Sequence, residues 1–342
     1  MLRHQLPAGA YRPINPNLIF SIIACWGKDV KAGRWLQFQT DWDKMKRKEV
    51  DAVKKKMWLF VALCLCALLG LEIYRSNYCL TAEYYEVESD KIDAPIRIVH
   101  LSDLHNAVFG ENNEDLLTLV REQQPDLILF TGDLVTGWDQ ETHVAMDLIE
   151  KLVEIAPLYV SEGNHERQHQ SNFGSDVLAM MEYRGAKVME YTYEDVTVKG
   201  QNLRIGGISG YCLPAIYLRT GEARLNDCEF LWEYQDTDRC TILLSHMPVG
   251  WIWNGGLDYW DCDFVFSGHA HGGQMVIPFV GGVYAPDMGL FPGVLKGIFS
   301  SGNGEKILIL SSGLGNSVAL PRLNNPPQIL VIDVHPAADS MK

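Results

Sequence analysis

Five times along this chain a short, largely apolar run stops at an Asp, Asn or His, and that recurrence limits the folds open to it more than any other feature. Ile96–Leu101 leads into Ser102-Asp103-Leu104-His105, and Leu127–Phe130 into Thr131-Gly132-Asp133. Leu158–Val160 leads into Ser161-Glu162-Gly163-Asn164-His165-Glu166. Farther on, Thr241–Leu244 leads into Ser245-His246, and Phe264–Phe266 into Ser267-Gly268-His269-Ala270-His271. Runs of this kind suit strands buried on both faces rather than half-exposed ones. Helical patterns separate the early ones. Leu116, Leu117 and Val120 make one apolar face behind Asn112 or Asn113 as a cap, and Val144, Leu148, Leu152 and Ile155 make another. The alternation predicts an α/β fold that starts β-α-β-α-β around a mostly parallel sheet. Leu203–Ile208, Val276–Val283, Lys306–Leu310 and Gln328–Val334 are predicted as further strands.

In open α/β sheets, ligands gather beyond the carboxyl ends of the strands. Residues i and i+2 of an extended chain face the same side, so Asp103 with His105, and His269 with His271, are expected to aim together. Asp133, Asn164 and His246 add three more donors. Carboxylate, amide and imidazole without thiolate fit borderline divalent metals such as Mn, Fe or Zn. Seven ligands are too many for one such ion but suit two that share a carboxylate. Each residue has a plainer reading when taken singly. A lone His246 reads as a core histidine, a lone Asp133 as a turn residue, and His100 in mid-strand as core. Single readings do not explain five strand ends in order.

At these residues the chain resembles a known family. Asp103-x-His105, Gly132-Asp133, Gly163-Asn164-His165-Glu166, His246 and Gly268-His269-x-His271 are similar to the five ordered motifs of calcineurin-like metallophosphoesterases, across roughly residues 95–335. The run Gly268–Gln274, preceded by an apolar segment, is similar to the membrane-associated YkuE/YaeI-like branch. The resemblance implies a four-layer α/β/β/α sandwich. It implies that Asp103, His105, Asp133 and His271 hold one divalent metal, and Asp133, Asn164, His246 and His269 a second, with Asp133 bridging. His165 would stay unligated near the departing oxygen as acid or electrostatic stabiliser, and Glu166 would orient His165 by a hydrogen bond. Two such metals clamp the attacking and leaving oxygens and lower the pKa of a bridging water, whose hydroxide would attack phosphorus in line.

The charge divides the chain. Residues 1–56 hold 12 basic and 5 acidic residues, a net of +7, whereas 57–342 hold 17 and 38, a net of −21. Between them runs Met57–Leu71, fifteen residues without charge, with Lys54-Lys55-Lys56 before it and Glu72 at its polar edge. A spanning helix needs about 20 residues, which Ile73, Tyr74 and snorkelling lysines supply. No A-x-A cleavage site follows closely, so an uncleaved single-pass anchor over Met57–Tyr74 is expected. The basic leader then stays in the cytoplasm and the later domain lies outside it. The expected layout is a basic leader (1–56), the anchor (57–74), a linker (75–94) and a catalytic domain (95–336). Residues 1–44 read as an over-extended reading frame or a dispensable tail ahead of Met45-Lys46-Arg47-Lys48.

Other features stay open. Cys64 and Cys66 lie in the anchor and Cys25 before it; Cys79, Cys212, Cys228, Cys240 and Cys262 lack metal-type spacing and read mostly as buried hydrophobes, with any disulfide unassignable. Trp251, Trp253, Tyr259 and Trp260 either fill a core or line a groove. Gly206-Gly207-Ile208-Ser209-Gly210 is a turn rather than a dinucleotide loop. Gly313-Leu314-Gly315-Asn316-Ser317 either borders the substrate or is a simple loop. The expected function is a two-metal phosphoester hydrolase anchored in the membrane, acting on an envelope or lipid-linked phosphodiester. A broad phosphomonoesterase is the rival within the class, and a catalytically inactive scaffold of the same fold the rival outside it. Completeness of the ligand set counts against the scaffold. The acidic domain counts against nucleic acid as a partner.

Overall fold

A computed structural model of the chain describes residues 32–208, 229–252, 255–317 and 320–337. Residues 1–31, Cys25 among them, with Cys212, Cys228, Ser209, Gly210 and Trp253, lie outside the described residues. The chain divides into two units, Met1–Leu68 and Leu69–Lys342. The described part of the first is helical and belongs to α1 (Ala32–Tyr78), which continues into the second. An 18-residue window of this helix has a mean hydropathy of 2.1 and none of it is buried, so the helix is long and apolar enough to cross a membrane.

The second unit is built on two six-stranded sheets. In the first the order is β1 (Thr81–Ser89), β16 (Gln328–Pro336), β2 (Ile96–Leu101), β3 (Leu127–Phe130), β4 (Leu158–Ser161) and β5 (Lys187–Met189). β2, β3, β4 and β5 run parallel, as a β-α-β-α-β chain requires, and β16 is antiparallel to β2. In the second the order is β14 (Gly297–Ser300), β15 (Ile307–Leu310), β9 (Phe264–Ser267), β8 (Cys240–Ser245), β7 (Gln201–Ile208) and β6 (Thr192–Val198). Its four central strands are parallel and its two edges antiparallel.

Apolar faces dictate the layers. Ile98, Leu129, Leu330 and Ile332 of the first sheet interlock with Ile205, Ile242, Leu244 and Phe266 of the second. The other face of the first sheet, with Val99, Ile128 and Val160, is covered by α2 (Glu114–Glu122) and α3 (His143–Leu152) through Leu116, Leu117, Val120, Leu148 and Leu152. The outer face of the second sheet buries Leu243 and Val265 under Leu231, Trp251 and Trp260. Burying one such large side chain stabilises by roughly 1.5–3 kcal/mol. The result is the expected α/β/β/α sandwich. Trp251 and Trp260 are fully buried there, so they pack the core, whereas Tyr259 is exposed.

Two expectations change. The stretch 75–94, expected to be a linker, holds β1, which pairs in parallel with β16 along its whole length. Its mixed exposure is that of an edge strand, which disguises it in a sequence read for buried runs. Val276–Val283, expected to be one strand, is a hairpin of β10 (Val276–Ile277) and β11 (Gly281–Gly282). Pro278 removes a ladder donor, and Gly281 takes φ 101°, so the strand cannot continue. A second short hairpin follows, β12 (Tyr284–Ala285) with β13 (Gly289–Leu290).

Candidate metal centre

All seven expected ligands lie beyond the carboxyl ends of β2, β3, β4, β8 and β9, Asn164 as the first residue of the helix that follows β4. Asp103, His105, Asp133, His269 and His271 have φ between +47° and +66°, a left-handed conformation that residues other than glycine rarely adopt. Such outliers persist only where the surroundings over-determine them, and they cluster at functional sites. The turns are also packed against one another. A Cβ on Gly268 would come within 1.8 Å of Ser102 Oγ and 2.3 Å of Asp103 Oδ2. A Cβ on Gly163 would come within 2.2 Å of Asp133 Oδ1. The glycines beside the ligands are there for close approach.

The side chains converge into two neighbouring buried clusters, Asp103–His105–His271 and Asp133–His246–His269, and a third group, His105–Asp133–His165, overlaps both through His105 and Asp133, with donor atoms within 4.8 Å of one another in each. In the first, His105 Nε2 is 3.2 Å from His271 Nε2, and Asp103 Oδ1 is 3.6 Å from His271 Nε2. In the second, His246 Nε2 is 3.1 Å from Asp133 Oδ2, 3.2 Å from Asn164 Oδ1 and 3.2 Å from His269 Nδ1. Asp133 Oδ2 also lies 3.6 Å from His105 Nε2, which puts this carboxylate between the clusters. Neither pair is in the extended backbone on which the i, i+2 expectation rested: Asp103 and His105 still share a cluster, whereas His269 and His271 enter different ones.

Hydrogen bonds behind the rings decide which nitrogen faces inward. The His246 Nδ1–H donates to the Thr131 carbonyl at 2.6 Å, and the His269 Nε2–H donates to Asp287 Oδ2 at 2.8 Å. The lone pairs of His246 Nε2 and His269 Nδ1 are thereby turned on each other and on Asp133. Burial opposes charge on His246, but Asp133 prevails and raises it to about 10. In the bare chain a proton supplies the positive charge that this lone-pair cage demands. Burial pushes His105 down to about 3 and holds His271 low, so the other cluster presents neutral imidazoles. The donor set and its unmet demand for a cation fit divalent metal.

His165 is buried beside both clusters, its ring 4.7 Å from that of His105. Its Nδ1 accepts from the Gly137 N–H at 3.0 Å, so the neutral ring carries its proton on Nε2. Burial keeps the ring toward the neutral form, against the pull of Asp133. Glu166 does not orient His165, as expected from its position in the motif. Its carboxylate accepts from the N–H groups of Asp133 (2.8 Å), Leu134 (2.7 Å) and Gly163 (2.8 Å), and so ties the β3 turn to the start of the helix Asn164–Phe173. His100 is core, bonded to Thr131 Oγ1 at 2.8 Å.

Two supporting residues carry no motif. Asp287, at the β12–β13 turn, fixes His269, and fully buried Arg322 donates to the Gly315 and Ser312 carbonyls at 2.7 Å with Nη2 3.4 Å from His271 Nδ1. The loop 313–317 packs on the β2 turn, with the Gly315 N–H donating to the Asp103 carbonyl at 2.6 Å and Ser317 Oγ 3.2 Å from His271 Nε2.

A two-sheet sandwich with buried Asp and His clusters at its strand ends defines a metal-dependent phosphoester hydrolase. The sequence profile of the calcineurin-like phosphoesterase family matches residues 96–273, and the chain belongs to that family. It is 27% identical over 286 residues to an uncharacterised metallophosphoesterase of Aquifex aeolicus, covering 81% of this chain and 98% of that one. It is 26% identical to the phosphodiesterase YaeI of Escherichia coli, over 70% of this chain and 83% of the other. It is 27% identical to the metallophosphoesterase YkuE of Bacillus subtilis, over 69% and 77% respectively.

Proposed function

We propose that the chain hydrolyses an envelope or lipid-linked phosphodiester at a dinuclear site of Mn, Fe or Zn ions. Asp103, His105 and His271, with Asp133 shared, would hold one ion, and Asp133, Asn164, His246 and His269 the other. The observation that carries this reading is the position of Asp133 between two buried donor clusters, 3.6 Å from His105 and 3.1 Å from His246. Bound there, two divalent ions neutralise the acidic shell and supply Lewis acidity toward phosphoryl oxygen and water. The protein's own part is to hold the donors without slack and to exclude bulk water around them. His165, its Nδ1 occupied by Gly137 N–H, offers Nε2–H to the departing oxygen as acid or stabiliser.

Support for a lipid-linked substrate comes from a cavity of about 260 Å³ beside the site. His105 lines it together with Asn77 and Tyr78, at the close of α1, and with apolar Val108, Phe109 and Leu314. A substrate with its phosphate at the clusters could rest an apolar portion on these side chains. We place the basic leader in the cytoplasm, Met57–Tyr74 in the bilayer and the catalytic domain outside. The test is turnover by the full chain of model diesters, monoesters and lipid-linked phosphates under added Mn, with metal content measured on the same sample. Turnover of lipid-linked diesters with two ions bound is expected. Equal turnover of monoesters would make the chain a broad phosphomonoesterase, and absence of both metal and turnover would make it a scaffold.

A further inference from the structure

Several exposed apolar side chains of the catalytic unit fall within the short segment 276–291, while others, such as Val108, Trp138 and Tyr183, stand singly elsewhere. Between Met275 and Phe299 only Asp287 and Lys296 carry charge. Both are engaged elsewhere, Asp287 with His269 and Lys296 with Glu83 and Gln328. What the two hairpins offer to solvent is Ile277, Phe279, Val280, Leu290 and Phe291, with Phe279 wholly exposed and Leu290 70% exposed. Phe279 and Phe291 sit at φ 68° and 55°, so tight turns hold both aromatic rings out of the fold. Uncharged apolar side chains projecting from two successive hairpins mark an interaction surface.

Its position says which surface. The Val276 N–H donates to the Leu323 carbonyl at 2.8 Å, and Asn324 Nδ2 donates to the Val276 carbonyl at 3.0 Å. The same short stretch grips the last turns of α1. The Asn324 N–H donates to Glu72 Oε1 at 3.2 Å, the Asn325 N–H to Ser76 Oγ at 3.3 Å, and the Arg322 N–H to Asn77 Oδ1 at 3.1 Å. The apolar hairpins are therefore fastened beside the polar end of the apolar helix, directly after Leu71.

We propose that Ile277–Val280 and Leu290–Phe291 insert into the acyl–headgroup boundary of the bilayer beside the end of the anchor. This docking brings the mouth of the metal centre to lipid headgroups, since Asp287 of the same segment holds His269. It rests on the reading of the apolar helix as a membrane span. Because the attachment is apolar and the unit acidic, it holds on zwitterionic lipid and is insensitive to salt.

The test uses the full chain reconstituted in phosphatidylcholine vesicles, plain or with brominated acyl chains. In Phe279→Trp the added indole emission, taken against the parent, is quenched by brominated lipid. Leu290→Trp gives the same result and covers a folding failure of the first variant. Emission that stays unquenched overturns the docking, and a blue-shifted unquenched indole assigns the patch to a second copy of the chain. In bilayer discs, Phe279→Asp with Leu290→Asp lowers kcat/KM about tenfold on a lipid-borne phosphodiester and leaves a water-soluble diester unchanged. Equal loss on both, or none, overturns the proposal. If the parent turns over neither, the hydrolase reading fails while the quenching still decides the docking.

Discussion

At the Asp133–His246–His269 cluster each imidazole is held from behind by an oxygen. Thr131 O accepts from His246 Nδ1–H, and Asp287 accepts from His269 Nε2–H. At the Asp103–His105–His271 cluster the backing differs. His105 Nδ1 has no partner among the described residues, and Arg322, a cation, stands behind His271. An acceptor behind an imidazole fixes its tautomer and strengthens its inward lone pair, whereas a cationic donor behind Nδ1 favours a proton on the inward Nε2, which an ion must displace. Two clusters that each set a carboxylate beside two imidazoles should thus differ in grip, with the Asp133 side binding its ion more tightly and the Asp103 side exchanging it more readily.

Asp133→Asn breaks the contrast most severely, because this carboxylate serves both sides. Both ions should be lost from the full chain by elemental analysis, and turnover should fall on the order of 10³-fold, since several kcal/mol of charge stabilisation disappear. Unchanged metal content would remove Asp133 from between the clusters. His165→Gln comes next. It should lower kcat roughly 10²-fold while both ions remain, as befits a proton donor that is not a ligand. His165 also lies within donor reach of His105 and Asp133, so loss of metal in this variant would make it a third-site ligand instead.

Asp287→Asn sharpens the comparison by touching one cluster alone. In a two-step metal titration the tighter step should weaken about 10–100-fold and the looser one stay in place. Movement of the looser step would reverse the assignment of grip to the two sides.

These outcomes bear on what a sequence of this kind discloses. The strands before Asp103, Asp133, Asn164, His246 and His269 are legible because each buried run needs several consecutive apolar residues and each ligand follows within three residues of its end. β1 is not, since this edge strand carries Glu83, Glu86 and Glu88, leaves only Val87 and Ser89 buried, and looks like a polar connector. Asn113 was named as a candidate cap for α2, and it does occupy the cap, but its Oδ1 accepts from the Phe109 N–H instead. Asp287 and Arg322 escaped because their contacts, with His269 and His271, span 18 and 51 residues and follow no local pattern. The motif marks the position of Glu166 without naming which backbone amides the carboxylate serves, so its bonds to Asp133, Leu134 and Gly163 are visible only in the fold. The low charge of Met275–Phe299 was on view throughout, but its exposure becomes visible only when the hairpins are seen to project.

Trp251→Phe makes the finest cut. Its indole N–H donates to Ser245 Oγ at 2.9 Å, one residue before His246, from within the core over the second sheet. Phenylalanine keeps most of the apolar contact and removes the bond, so stability should drop by about 1 kcal/mol in equilibrium urea unfolding of the solubilised chain. If the scaffold behind His246 is as firm as the Thr131 contact implies, metal affinity and turnover should not move. A fall in affinity at the tighter step would extend the grip on His246 outward to the tryptophan. The difference between the clusters would then be carried by packing as well as by hydrogen bonds.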